Sequence, residues 1–126
     1  MKKTIKIILI IFIVIIIFIT IFISHFIYLE KYKLSDVGIE KSENEKYEVL
    51  FQMIGQPNWP FGSTAVQITV KNNDTGKIIQ KIQDNIEDDG GIFRKENWNI
   101  EWKNDIVIIT LKGEEQKDKI YTVELK

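Results

Sequence analysis

The hydrophobic pattern divides the chain into a continuous apolar run and a region of alternation. Residues 7–29 carry no charged side chain, and only Thr20, Ser24 and His25 among them are clearly polar. A helix of that length extends roughly 35 Å, enough to cross a hydrocarbon core of about 30 Å with some tilt. Ile is a middling helix former in water, but in lipid every backbone group must be satisfied within the segment, which forces the helix. The pattern therefore predicts a leader at 1–6 and a transmembrane helix over 7–29 that binds the lipid bilayer. A cleaved signal peptide is the rival; its apolar stretch would be shorter and followed by a small-residue cleavage site, and neither holds here. Lys2, Lys3 and Lys6 precede the span, while Lys31 and Lys33 follow it beside Glu30. That balance places the N-terminus in the cytoplasm and the remainder outside. His25, near Tyr28, reads as an interfacial polar residue, because the span offers it no partner for a proton relay.

After a polar stretch at 30–46 that reads as a linker, the period becomes two. Tyr47, Val49, Phe51 and Met53 alternate with Glu48, Leu50, Gln52 and Ile54. Val66, Ile68 and Val70 repeat the pattern, and the turn cluster at 72–76 sends the chain back through 77–84. Trp98, Ile100 and Trp102 share one strand face and are expected in the core. Residues 106–111 are apolar on both faces, which marks a central strand, and Tyr121, Val123 and Leu125 mark the last. The expectation is an all-β domain over 47–126, a small antiparallel β-sandwich or twisted sheet of about six strands.

Charge then narrows the function. Residues 1–33 hold five Lys and one Glu; the remainder holds 12 Lys plus Arg and 17 Asp plus Glu, giving +4 and −5. So acidic a domain is a poor nucleic-acid partner. With no Cys anywhere and one His, in the apolar run, the domain has no thiol nucleophile and no Ser–His or Cys–His pair. No catalytic residue, cofactor or metal ligand is assigned, and the domain is expected to be non-enzymatic.

Two loops carry the remaining candidate chemistry. Residues 85–96 can be laid on a twelve-residue calcium loop, with oxygen donors early, Gly90 at the sixth position and Glu96 at the twelfth. Asn85 at the first position lacks the usual charge, and the flanks are strands rather than paired helices, so a solvated hairpin loop competes with a calcium- or ligand-sensing role. At 57–62, two prolines stiffen a segment bearing Trp59 and Phe61. Pre-ordered aromatics suit partner binding, but in so small a domain the expected reading is a lid folded back on the end of the sandwich, with partner binding at Trp59 and Phe61 as the alternative.

The stretches FQMIGQPNWPFG at 51–62 and GEEQKDKIY at 113–121 together resemble an uncharacterised group of small membrane-anchored Firmicutes proteins. The resemblance covers about 47–125 and implies an envelope location, with no activity or site attached. Exported immunity proteins of Gram-positive bacteria share the layout of an anchor followed by a small β domain, though no motif ties this chain to them. The expected function is a tethered, non-catalytic module that binds an envelope or secreted protein.

The orientation is testable on the full chain. Ser42→Cys is expected to react with a membrane-impermeant thiol reagent in intact cells; labelling only after lysis would reverse the topology.

Overall fold

The computed structural model describes residues 2–57, 62–88 and 91–126. Helix α1 (Lys2–Lys31) is long and apolar enough to cross a membrane, and none of it is buried against the domain. Seven strands follow: β1 (Leu34–Lys41), β2 (Tyr47–Ile54), β3 (Thr64–Asn72), β4 (Ile78–Ile86), β5 (Trp98–Lys103), β6 (Ile106–Leu111) and β7 (Lys119–Glu124). All pairings are antiparallel. β1-β2-β3-β4 form one sheet and β5-β6-β7 the other, with β6 central. The fold is thus mostly β with one N-terminal apolar helix, in broad agreement with expectation.

One core lies between the sheets. Alternation sends Val49, Phe51 and Met53 from β2 and Val66, Ile68 and Val70 from β3 toward Val107, Ile109 and Leu111 of β6. Trp98 joins them, stacked on Phe51 at 4.1 Å between ring centroids and edge-on to Phe93 at 5.1 Å. Trp98 is 7% exposed, as expected of a core residue. Trp102, expected beside it, is only half-buried and packs against the rim of the core. Burial depends here on position along the strand, and Trp102 stands one residue before the strand ends at Lys103.

The segment expected as a linker is instead largely folded. α1 ends at Lys31 and β1 begins at Leu34, so only residues 32 and 33 separate them. The polar composition that suggested a tether is that of an edge strand whose inner face meets Trp98. Gly38 occupies that face because a Cβ there would stand 2.9 Å from the Trp98 ring, and Glu40 Oε1 accepts the indole N–H at 3.2 Å. The register slips between Asp36 and Gly38, a bulge that blunts the edge.

The helix end is also hydrogen-bonded into the sandwich. Gly55 N–H donates to the Lys33 carbonyl at 2.8 Å, and Gln56 N–H to the Glu30 carbonyl at 2.7 Å. Gly55 has φ +66°, and a Cβ would fall 2.2 Å from the Glu30 oxygen, so only glycine permits this approach. One of the carbonyls that an α-helix leaves unpaired at its C-terminus, that of Glu30, is thereby answered by the domain.

The outer face of the larger sheet carries a row of side-chain amides across three strands, ending on the Asp36 carboxylate of β1. Gln83 Nε2 donates to Gln67 Oε1 at 2.9 Å, Gln67 to Gln52 at 3.3 Å, and Gln52 to Asp36 Oδ1 at 2.8 Å.

Trp98→Ala empties a buried aromatic site and is expected to cost about 3–5 kcal/mol. That is comparable to the whole stability of a small domain, about 5–15 kcal/mol, so the variant should be largely unfolded. Trp102→Ala, at a half-buried site, should cost about 1–2 kcal/mol. Thermal melting followed by circular dichroism checks both, and equal melting points for the two variants would contradict the assignment.

Candidate functional site

Among the described residues, three clefts and one polar cluster stand out as places where the surface could do chemistry or bind. The first cleft, about 450 Å³, is lined by Asp88, Arg94, Glu96, Asn97, Lys112 and Glu114. It adjoins the loop matched above to a calcium site. Asn85, the would-be first ligand, lies in β4. Asp88 is already engaged by both oxygens: Oδ1 accepts the Glu114 N–H at 3.0 Å and Oδ2 the Asn97 amide at 3.3 Å. Asn97, 5% exposed, also donates to the Lys112 carbonyl and accepts the Arg94 N–H. Glu87 is held through its backbone, with Gln116 Oε1 on its N–H and the Glu115 N–H on its carbonyl. These groups stitch the 85–96 loop to the loop before β7. Among the described residues, no group of three or more His, Asp or Glu side chains is gathered to hold a metal; Asp89 and Gly90 lie outside the described residues.

The second cleft, about 530 Å³, opens at the end of the sandwich opposite the helix junction. Strand register fixes that placement: Leu34 pairs with Ile54 at the junction end, and Lys41 with Glu48 at the other. The β1–β2 turn supplies Ser42, Glu43 and Asn44; the β5–β6 turn supplies Lys103 and Asn104; Tyr47, Trp102 and Leu125 form the apolar floor. The third cleft, about 400 Å³, runs between β1 and β5 and is lined by Glu40, Lys41, Lys95, Trp98, Asn99, Ile100 and Trp102. Trp102 borders both. It is the functional candidate that periodicity misassigned wholly to the core; its one sequence signal is its place beside the Asn104-Asp105 turn.

Trp59 and Phe61, the aromatic pair selected from sequence, lie outside the described residues, as does the choice between lid and binding loop. Their flanks are placed: Gln56 is bonded to the helix end, and Thr64, opening β3, donates its hydroxyl to the Gly91 carbonyl at 2.9 Å.

On the seam between β4 and β7, Asp84 accepts hydrogen bonds from the Tyr121 hydroxyl and from Lys119 Nζ, the latter at 3.0 Å. Burial alone would raise the Asp84 carboxyl. The bonds from Tyr121, the Asn85 N–H and Lys119, with the lysine charge, outweigh it and hold the group below the usual 3.8. Tyr121 is pushed up to about 12, first by burial and then by the adjacent Asp84 hydrogen bond and charge. With no nucleophile or opposing base beside it, the trio is an inter-sheet latch.

The latch has a pH signature. A depressed carboxyl stabilises the fold above its unfolded value near 3.8 and loses that contribution as pH falls through the folded value. A raised phenol stabilises it below 10.0 and loses that contribution as pH climbs through about 12. Melting temperature should thus fall on both sides of a plateau. Asp84→Asn should remove the acid-side contribution and bring the Tyr121 phenolate absorbance transition down toward 10.0. A wild-type Tyr121 titrating at that ordinary value would refute the latch.

Compared with known proteins, the chain matches no protein family, no curated protein and no solved structure.

Proposed function

We propose that this chain is a membrane-tethered, extracytoplasmic and non-catalytic interaction module that engages an envelope or secreted protein through the aromatic surface around Trp102. One observation carries the reading. Trp102 is half-buried between two open clefts, on the part of the sandwich remote from the helix junction. Aromatics in such settings offer large contact area at low conformational cost.

The rest of the molecule is consistent with it. α1 has the length and apolarity of a single-pass anchor, and the leader Lys residues favour a cytoplasmic N-terminus. The domain contains neither His nor Cys, so no Ser–His or Cys–His pair can form within it. The carboxylate nearest the sequence-predicted loop, Asp88, is engaged in loop structure. Trp59 and Phe61 are proposed as a second partner contact apart from the Trp102 surface, since Gln56 before them is bonded to the helix end, and the envelope location agrees with the resemblance to small anchored Firmicutes proteins and with an immunity-type role.

A photocrosslinking residue at Asn104, at Asn99 or at the exposed control position Thr122 of the full-length chain tests the reading in living cells. A discrete protein adduct is expected from Asn104 or Asn99 and not from Thr122. Adducts to lipid alone, or equal adducts from all three positions, would overturn it.

A further inference from the structure

The two sheets differ in width. With about 4.8 Å between neighbouring strands, four strands span roughly 14 Å and three roughly 10 Å, so the smaller sheet is one strand short of covering the larger. The sandwich consequently has two unlike seams. At the β4–β7 seam, Asp84 bridges the sheets through Tyr121 and Lys119. At the β1–β5 seam lies the third cleft, where a fourth strand of the smaller sheet would sit.

The β5 edge is equipped to receive one. Lys112 N–H donates to the Asn97 carbonyl at 2.7 Å. Antiparallel alternation then makes Asn99–Thr110, Glu101–Ile108 and Lys103–Ile106 the hydrogen-bonded pairs of the β5–β6 ladder. The N–H and C=O groups of Ile100 and Trp102 therefore point away from β6, toward the cleft. Among the described residues β5 pairs with no other strand, and its register contains neither bulge nor proline to blunt the edge. The facing strand β1 is bulged. Trp98, Ile100 and Trp102 also line the cleft with their side chains, so one strip offers unpaired backbone and apolar floor together.

Charge indicates what sort of strand fits. Lys41 and Lys95 line the cleft, and among the described residues neither lies in a salt bridge. The single carboxylate lining it, Glu40, accepts the Trp98 N–H. In a domain whose net charge is negative, this seam is locally cationic.

From this we propose that the β1–β5 seam is a strand-addition site, where an extended segment of a partner protein carrying acidic side chains pairs with β5 as a fourth strand. The inference rests on the interaction-module reading and gives that module its mode of recognition. Backbone bonds to Ile100 and Trp102 supply the pairing, alternate apolar side chains cover Trp98 and Trp102, and carboxylates meet Lys41 and Lys95. The cleft at the end of the sandwich, with its mixed rim of Glu43 and Lys103, is the competing location.

The test uses the full-length chain in lipid nanodiscs with ten-residue probe peptides that alternate Glu with Val, Ile or Phe. Amide exchange at Ile100 and Trp102 should be fast without peptide, and slower by about tenfold with peptide at ten times its Kd. Replacing the peptide's Glu by Lys, or N-methylating its backbone on the edge facing β5, should abolish the protection; N-methylation on the opposite edge should not. Ile100→Pro removes an edge donor that β6 does not use, and should abolish binding while melting remains cooperative. If none of the peptides slows exchange at Ile100 and Trp102, or if protection appears at Asn44 and Asn104 instead, strand addition is wrong. Crosslinks from Asn104 that persist in that case would leave the interaction module standing, whereas their loss as well would remove both.

Discussion

Stacking of Trp98 on Phe51 joins the two sheets at a ring separation of 4.1 Å, and much else is arranged around that indole. Its far edge requires a residue without a side chain on β1, which is why Gly38 sits there. Its N–H requires an acceptor, which Glu40 supplies from the same strand. Phe93, edge-on to both rings, brings the segment after the 85–88 stretch under the core. A domain of this size without disulfides has few large groups to bury, so a single aromatic linking two sheets, an edge strand and a loop accounts for a large share of its order.

The same residue explains why β1 was hard to read. Periodicity identifies strands whose inner face is apolar, and it located β2, β3, β5, β6 and β7 for that reason. β1 turns Ser35, Val37, Gly38 and Glu40 inward, and only Val37 of these is an apolar side chain packed on the core, so no alternating apolar face marks the strand. Such a strand has the composition of a tether, and only the position of Trp98 distinguishes the two. Gly55 presents a similar difficulty: as a sequence feature it reads as a turn residue before Pro57, but its backbone conformation answers to the Glu30 carbonyl, far away along the chain. Contacts of that kind leave no periodic trace.

Sequence offered Trp59 and Phe61 as a lid on the sandwich or a partner-binding loop, and that choice lies outside the described residues. Trp102 was expected in the core because it shares a face with Trp98 and Ile100, and it is instead half-buried. Sharing a face sets direction, not depth; depth depends on position along the strand, and Trp102 stands near its end beside the Asn104-Asp105 turn. In the acidic 85–96 loop, Asp88 spends both oxygens on the neighbouring loop and on Asn97, a structural use of charge that spacing alone does not reveal.

The bonds from Gly55 and Gln56 to the helix end bear on how a tethered protein searches for its partner. A flexible 30–46 tether would have let the domain wander by roughly 20–25 Å, from about 5–6 Å times the square root of its length. The bonded junction removes that freedom. In the proposed membrane setting, height and tilt above the bilayer are then decided before any encounter, and the search reduces to diffusion and rotation in a plane. Partners whose complementary segment emerges at the matching height gain effective concentration, because little orientational freedom remains to be lost on contact. On that proposal, partners presenting the same segment at another height would be excluded by geometry rather than by affinity, and the glycine at position 55 would act as a filter on membership as well as a structural residue.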